Sequence, residues 1–364
     1  MTNIVTRLRL LARCLWVQFL DWFGYLRRAE KALREQGAIL TLTLHRVLDD
    51  VSYAETNSLS GIILRERTFQ ELVRFVTESY DPVDLAQATP GSIASRLRVV
   101  VTFDDGWRDN YTTAFPIIRA ARLPVTIFVC PALLQQDQPF WPERAIRLLK
   151  TSAKKDARPD QFSDEIERLK ACTTDERDRF FREIDSANNG QSFDLARNTV
   201  DQTMSWTEIL EMNQSGVRFG SHTDTHQILT TISPDAARSE LQLSKVALEA
   251  TLGNACQEFA YPNGNWSAVT RRLVQEAGFA RALSTEHGPW IAKSDPLAIP
   301  RMNVSEGNVV GLTGRFSPAM FRYTTTWKAW RSMRRNLLDL PAGLRTPKSP
   351  SPTSIRASEV AGQK

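Results

Sequence analysis

The 364-residue sequence predicts an α/β fold built on a parallel sheet or barrel. Short apolar segments such as LRVVVTF (97–103) and PVTIFVC (124–130) lack the polar alternation of a half-exposed strand. Such continuous runs are typical of strands buried on both faces of a parallel sheet. Segments with helical spacing separate them, and alternating strands and helices favour this architecture. A chain of this length with 42% hydrophobic residues can bury one sizeable core, so we expect one main domain with appendages.

The elements follow one another in order from residue 38. Thr68 is the predicted N-cap of the first helix inside the domain. The predicted strands are 38–45, 97–103, 124–130, 217–222, 258–264 and 281–285. The predicted helices are 68–78, 111–121, 205–214, 234–252, 267–277 and 327–338. Residues 151–203 are polar and charged, which predicts an inserted helical segment without recognisable chemistry.

The first 37 residues predict a basic amphipathic helix. Its uncharged run, Cys14–Leu20, is too short for a signal-peptide core or a membrane span. The helix either lies in a membrane interface, with Trp16, Phe19 and Trp22 beside arginines, or packs on its own domain. The apolar stripe that defines it has spacings of three and four residues and consists of Ile4, Leu8, Leu11, Leu15, Phe19, Trp22 and Leu26.

The net charge of +5 is concentrated at the two ends of the chain. Residues 1–38 carry seven Lys/Arg and three Asp/Glu, and residues 313–364 carry ten and two, so the middle is acidic. Basic ends can attract anionic lipid or nucleic acid, but a solvated cationic surface is the simpler interpretation, and we expect no nucleic-acid partner. Residues 313–340 predict a basic, aromatic helical extension, and 341–364 a disordered tail.

The four cysteines are scattered without a C-x-x-C pair, which argues against a disulfide framework and a thiolate zinc site. Chemistry is predicted instead at two adjacent carboxylates, Asp104 and Asp105, where a buried strand ends at Gly106. Parallel α/β folds place their active sites at this end of the strands. Because neighbouring side chains of an extended chain point in opposite directions, one carboxylate can bind a metal while the other faces substrate. A plain Asp-Gly turn is the alternative.

A histidine pair, His222 and His226, follows another predicted strand in the segment SHTDTH. Three intervening residues would place both rings on the same side of one helical turn, where they can share an ion. A solvated helix face is the alternative, although these are two of only four histidines in the chain. With Asp105 they would form a three-ligand set that leaves positions open for water and substrate, as catalytic zinc or a similar ion requires. Asp104 would remain free to accept a proton.

With these motifs the chain resembles the polysaccharide deacetylases of the NodB-homology family, carbohydrate esterase family 4. The resemblance covers about residues 38–310 apart from the insertion, and it implies an irregular (β/α)7 barrel as the catalytic domain, 38–312. The motifs occur in family order and are LTLHRV (42–47), VVVTFDDGWRDNY (99–111), MSWTEILEMNQSGVRFGSHTDTH (204–226), FAYPNG (259–264) and IPRMNV (299–304).

The resemblance also implies roles for individual residues. Asp104 matches the general base, whereas Asp105, His222 and His226 match the ligands of a divalent metal ion, for which Zn²⁺ is expected. Asn263 follows the proline of its motif, where the family uses a backbone N–H to bind the oxyanion.

The chain departs from the family at two points. Many relatives orient the base with an arginine at the position that Ala260 occupies, and Arg301 could supply that charge from another strand. The usual C-terminal general-acid motif, leucine followed by histidine, is not visible, which leaves His45 and His287 as candidates. The HRV motif of the biofilm-polysaccharide deacetylases favours His45. Trp107, Tyr261 and Trp266 either stack on sugar rings or are ordinary hydrophobic residues of the barrel rim.

We therefore expect metal-dependent N-deacetylation of an envelope polysaccharide or its lipid-linked precursor, with release of acetate. The alternatives are hydrolysis of another C–N bond in a small amide or imide, O-deacetylation, and a glycan-binding scaffold without activity. The expected partners are an N-acetylated glycan or lipid-linked sugar and, through the N-terminal helix, a membrane surface. The expected location is the cytoplasm or the inner face of the inner membrane.

Overall fold

The computed structural model describes residues 2–135, 140–152, 157–187 and 200–338. The predicted tail, 341–364, and part of the insertion lie outside these ranges. The strands among the described residues are β1 (Ile39–Leu44), β2 (Arg46–Leu48), β3 (Ile63–Arg65), β4 (Asp81–Pro82), β5 (Arg98–Phe103), β6 (Val125–Val129), β7 (Arg218–Ser221), β8 (Glu258–Ala260), β9 (Arg281–Leu283) and β10 (Met302–Asn303).

The main sheet is parallel and has the order β10-β1-β5-β6-β7-β8-β9, with β4 paired beside β5. A parallel bridge joins Leu283 of β9 to Ile299, and the chain then continues into β10, which pairs with β1. The sheet therefore curls back toward its first strand. A second, two-stranded sheet pairs β2 with β3.

Helices pack around this sheet and fill the connections between its strands. Their bounds are α1 (Thr2–Trp22), α2 (Tyr25–Glu35), α3 (Asp50–Glu55), α4 (Glu66–Ser79), α5 (Phe115–Ala121), α6 (Trp141–Ser152), α7 (Ser163–Lys170), α8 (Thr174–Ala187), α9 (Trp206–Gln214), α10 (Pro234–Leu252), α11 (Ala268–Glu276), α12 (Glu306–Val309), α13 (Pro318–Arg322) and α14 (Lys328–Leu338). A π-turn, Tyr323–Trp327, joins the last two. None of the helices described here has the length and apolarity that crossing a membrane requires.

All six predicted strands and all six helices predicted inside and after the domain occur near their predicted positions. Capping explains some of the boundaries: the Ser205 side chain accepts from the backbone N–H of Glu208 at the start of α9. The predicted N-cap at Thr68 is wrong. Helix α4 begins two residues earlier, and the Thr68 hydroxyl donates instead to Glu306 (3.0 Å).

The prediction of a single N-terminal helix is also wrong. Gly24 has a φ of 73° and separates α1 from α2, because the left-handed conformation that glycine tolerates interrupts the helical path. The two helices lie against the C-terminal extension. Cys14, Val17 and Leu20 of α1 form an apolar cluster with residues of α13.

The strand ends position the candidate site. In register, Leu44 of β1 lies beside Phe103 of β5, which in turn lies beside Ile127 of β6. Val129 of β6 lies beside Ser221 of β7. Because the strands are parallel, the residues that follow β1, β5, β7 and β8 emerge at the same, carboxyl end of the sheet.

Candidate active site

Asp104 and Asp105 follow β5 directly and are both buried. The extended geometry that was expected for this pair is wrong, because Asp105 has a φ of 75° and Gly106 a φ of 72°. This left-handed turn separates the two carboxylates. A Cβ atom at Gly106 would lie 2.7 Å from a Val129 methyl group, so the turn requires glycine for space as well as for conformation.

His222 and His226 lie in a loop and not on the predicted helical turn. Thr223 and His226 have φ values of 64° and 59°, which interrupts any helix. The loop nevertheless brings the rings together, with centroids 5.0 Å apart. The Oδ1 atom of Asp105 lies 3.5 Å from Nε2 of His222 and 3.3 Å from Nε2 of His226.

Backbone strain is concentrated at this site. Among the described residues, six that are not glycine have positive φ, and four of them belong to the site motifs. They are Asp105, Thr223, His226 and Asn263. Each such conformation costs on the order of 1–3 kcal/mol and persists only where surrounding contacts impose it. The clustering indicates that the positions of these side chains are maintained at a cost in folding free energy.

The ligand atoms of Asp105, His222 and His226 fit a divalent metal ion. All three lie within 4.8 Å of one another. In a tetrahedral site with ligand bonds of about 2.0–2.2 Å, neighbouring ligand atoms lie roughly 3.3–3.5 Å apart, which is the separation of the carboxylate oxygen from each imidazole. One carboxylate and two imidazoles are also a donor set that catalytic zinc accepts.

The tautomer of His222 supports this fit. Its Nδ1 donates to the carbonyl oxygen of Ala260 (2.7 Å), which leaves the Nε2 lone pair directed at Asp105. Burial lowers the pKa of His222 to about 4. The imidazole is therefore neutral near pH 7, as a metal ligand must be.

Asp105 is held in place by Trp107, whose indole N–H donates to the second carboxylate oxygen (3.0 Å). Burial opposes ionisation of Asp105, but the hydrogen bond and charge of His226, together with the charges of His45 and His222, outweigh burial and hold the pKa of the carboxyl well below its usual range. Asp105 is thus a fixed, ionised carboxylate.

Asp104 is paired with Arg301. Both guanidinium nitrogens donate to its carboxylate, each at 2.7 Å, and Arg301 is 1% exposed. The Nε–H of Arg301 donates to the carbonyl oxygen of Ser284 (2.9 Å). Burial opposes ionisation of Asp104, but the charge and hydrogen bonds of Arg301, together with the charges of His222 and His45, outweigh burial and lower the pKa. Arg301 thus supplies a charge next to Asp104, which Ala260 does not.

The structure separates the two candidate acids. His45 lines the same cavity as Asp104, with 4.0 Å between Nε2 and the Asp104 carboxylate. Its Nδ1 is buried without a hydrogen-bond partner, so His45 is not a core histidine satisfied by a carbonyl. His287 instead has its Nδ1 3.1 Å from the sulfur of Met302 and does not line this cavity.

The predicted residues surround a cavity of about 320 Å³, a size suited to a small ligand or one end of a longer one. Asn263 lines it beside Thr285, whose hydroxyl donates to the Asn263 carbonyl (3.1 Å). Of the residues predicted for the site, six line this cavity directly, and Arg301 reaches it through Asp104. The six are His45, Asp104, Asp105, His222, His226 and Asn263.

Sequence reasoning missed the wall of the cavity that the helical insertion supplies. The insertion was expected to carry no recognisable chemistry, yet Ile166 and Lys170 of α7 line the cavity. Residues just before the predicted insertion, Phe140, Trp141 and Glu143, complete this wall. The aromatic and apolar residues of 140–166 could have suggested a covering element, but only tertiary packing shows what it covers.

Arg46 was also missed, although it adjoins His45 in the HRV motif. It is fully buried and donates to Asp109 (3.0 Å) and Asp201 (2.5 Å), so it ties the insertion to the barrel. Its guanidinium lies 4.3 Å from the centre of the Trp107 ring.

The aromatic residues proposed for sugar stacking are only partly available. Trp107 and Tyr261 are fully buried, which excludes stacking on a substrate. Trp107 orients Asp105 instead, and the Tyr261 hydroxyl donates to the carbonyl of Leu297. Trp266 is partly exposed and donates to Glu286 (3.1 Å).

Glu143 lines the cavity, and its pKa can be tested through the pH dependence of stability. Burial, together with the charge of Asp201, raises its pKa to about 8. An acid whose pKa is higher in the folded state stabilises the fold fully below its unfolded pKa, and this contribution is lost as pH rises to the folded value. Both proteins are treated with a chelator. As pH rises from about 4.5 to 8, we expect the free energy of unfolding of Glu143→Gln to increase relative to that of wild type, by up to about 1.4 kcal/mol per pH unit.

Urea unfolding at several pH values measures this difference. The control is Glu167→Gln on α7, where the side chain is 63% exposed, and its difference from wild type should change with pH far less than that of Glu143→Gln. If the difference in unfolding free energy between Glu143→Gln and wild type were equally independent of pH, the assigned burial of Glu143 would be contradicted.

The chain is similar to known proteins in both sequence and fold. A family model described as polysaccharide deacetylase matches residues 93–282, just over half of the chain. YxkH of Bacillus subtilis (strain 168), which is named as a polysaccharide deacetylase, is 21% identical over 222 residues, or 61% of this chain. The match spans 57% of that relative, so the chain corresponds to little more than half of its length.

Solved structures establish the fold. The deacetylase PplD of Streptococcus pyogenes, in complex with acetate, has a TM-score of 0.51 at 18% identity, over 77% of this chain and 99% of its own. A de-N-acetylase from Aggregatibacter actinomycetemcomitans has a TM-score of 0.51 at 13% identity, over 76% and 98%. The predicted irregular (β/α)7 barrel is confirmed.

Proposed function

This chain belongs to the polysaccharide deacetylase family, a family of hydrolases, and we propose that it removes N-acetyl groups from a sugar with the help of a divalent metal ion. The observation that carries this proposal is the arrangement of Asp105, His222 and His226 around one point, with Asp104 beside it but outside the ligand set. An ion and a proton acceptor can therefore act together on one acetyl group and the water that attacks it.

When bound by these three residues, a divalent ion supplies Lewis-acid polarisation of the acetyl carbonyl and makes a bound water easier to deprotonate. The donor set and its spacing favour Zn²⁺, because two neutral imidazoles and one carboxylate suit this ion.

The residues of the chain supply the proton transfers. Asp104, kept ionised by Arg301, accepts the proton of the attacking water. His45, whose Nε2 lies 4.0 Å from the same carboxylate, gives a proton to the departing amine in its protonated form. The C–N bond breaks, and the products are acetate and a free amino sugar.

The backbone N–H of Asn263 is proposed to bind the oxygen that becomes negative as the carbonyl is attacked. Two observations support this role. Asn263 lines the cavity with Asp104 and Asp105, and its left-handed φ of 56° is one of the positive φ values clustered at this site.

For the substrate, we propose an N-acetylated sugar of an envelope polysaccharide or of its lipid-linked precursor. The modest cavity volume and its partial cover by the insertion favour a terminal sugar over the middle of a long chain. The proposal fits the family and the relatives described above, which are deacetylases.

Acetate release from N-acetylated oligosaccharides, measured with metal analysis, tests the function. We expect wild type to contain about one ion per chain, to lose activity with a chelator and to regain it with Zn²⁺. His226→Ala should bind metal about 10-fold or more weakly, because a three-ligand site loses one ligand. O-acetylated sugars and small amides or imides should be poor substrates. Chelator-resistant activity, or activity only on O-acetyl or imide compounds, would refute the proposal.

A further inference from the structure

Helix α1 has two apolar faces on opposite sides of its axis. Cys14, Val17 and Leu20 form the buried face, which packs against Ala319 and Met320 of α13. This face explains why the helix is attached to the domain. The predicted apolar stripe of residues 8–22 lies on the other side of the helix and, among the described residues, does not pack against the domain.

The opposite face of α1 is exposed from Leu8 to Trp22. Leu8, Leu15, Phe19 and Trp22 are 58%, 59%, 45% and 85% exposed and lie on one stripe. Nine of the fifteen large hydrophobic side chains that the described residues expose lie between 8 and 25. Monomeric soluble proteins rarely leave so large an apolar patch in water, and such patches mark interaction sites.

Cations border this face, which we call the exposed α1 face. Arg9, Arg27 and Arg28 are exposed on α1 and α2. Basic residues near an anionic lipid surface strengthen binding to that surface.

The attachment of α1 places it at the same end of the barrel as the cavity. The Arg13 guanidinium donates to the carbonyl of Gly307 (2.7 Å), and Gly307 follows β10 at the carboxyl end of the sheet. Asn303, the last residue of β10, lines the cavity. The helix that presents the exposed α1 face is therefore fixed to the rim of the candidate active site.

We propose that the exposed α1 face docks onto an anionic lipid surface and holds the catalytic cavity close to it. Aromatic and aliphatic side chains enter the headgroup boundary, and the flanking arginines bind lipid phosphates, as in interfacial amphipathic helices. An acetylated sugar carried on the same surface would then be within reach of the cavity, a consequence that rests on the proposed function.

Co-sedimentation of the full chain with lipid vesicles tests the docking. We expect binding to phosphatidylethanolamine–phosphatidylglycerol vesicles, weaker binding at high salt, and little binding to phosphatidylcholine. Leu15→Glu with Phe19→Glu should weaken binding by at least about 10-fold, since two buried apolar side chains are lost. The matched control is Leu243→Glu with Val246→Glu, two exposed apolar residues of α10 at 57% and 64%, which should bind as wild type does.

Other outcomes overturn the proposal. Absence of wild-type binding to anionic vesicles would do so, as would equal losses in both double variants. A wild-type dimer that Phe19→Glu converts to monomer, without vesicle binding, would assign the exposed α1 face to a second copy of the chain. Failure of the proposed function is a separate result, because vesicle binding needs no catalysis. Deacetylation of a soluble oligosaccharide should be unchanged in Leu15→Glu with Phe19→Glu.

Discussion

Replacement of Asp104 by Asn is expected to lower the rate of acetate release by about 10²- to 10⁴-fold, the usual contribution of a positioned general base. The amide keeps the shape of the carboxylate but cannot accept a proton. Because Asp104 is not in the ligand set of Asp105, His222 and His226, the variant should bind metal as tightly as wild type. Acetate release, metal content and melting temperature of the same preparation measure these effects.

The control for this variant is Asp295→Asn. Asp295 also forms a two-bonded pair with an arginine, Arg271, but this pair is partly exposed and remote from the cavity. The control makes the same chemical change and should retain activity. If Asp104→Asn released acetate within a few-fold of wild type while correctly folded, Asp104 would not be the base.

Replacement of Arg301 by Met is expected to cost about 3–5 kcal/mol of unfolding free energy, because it leaves the buried Asp104 carboxylate without its counter-charge. The pKa of Asp104 would rise, so the acid limb of kcat/KM should move to higher pH. Arg301→Lys should recover part of both effects, since it restores the charge but not the two-bonded geometry. Urea unfolding and a pH–rate profile measure the two quantities.

The sign of the pH dependence follows from the lowered pKa of Asp104. A carboxyl whose folded pKa is depressed stabilises the fold above its unfolded pKa, about 3.9, and loses that contribution as pH falls through the folded value. The cost of Arg301→Met should therefore be largest near neutral pH and shrink in acid. The double variant Arg301→Met with Asp104→Asn should be more stable than the sum of the single effects. Additive losses would mean that the pair is not coupled.

Several interpretations of the sequence remain predictions. These predictions include Zn²⁺ as the metal, a cytoplasmic or inner-membrane location and the absence of a nucleic-acid partner. They also include the roles of four residues, Asp104, His45, Asn263 and Arg301. The structure favours His45 over His287 as the acid, because only His45 lines the cavity with Asp104. A pH–rate profile of His45→Gln would test that choice.

The sequence predicted the strands and helices of the barrel because each is encoded locally. Continuous apolar runs produced the buried strands β5 and β6, and residues such as Ser205 fixed helix starts. The local geometry of the motifs was less predictable. His222 and His226 approach each other through a left-handed loop and not a helical turn, and Asp105 leaves the extended conformation, because surrounding contacts impose strained backbone that spacing alone does not reveal.

By itself, the sequence determined the alternation of strands and helices, the order of the motifs and therefore the ligand candidates Asp105, His222 and His226, because the carboxyl ends of parallel strands must meet at one edge. Only the tertiary structure decided which distant side chains complete the site. Arg301 reaches Asp104 across 197 positions of the chain, and the insertion adds Ile166 and Lys170 to the wall of the cavity. Such contacts depend on how the elements pack against one another. Packing depends on the combined surfaces of many side chains that are distant in sequence, and no local sequence pattern encodes them.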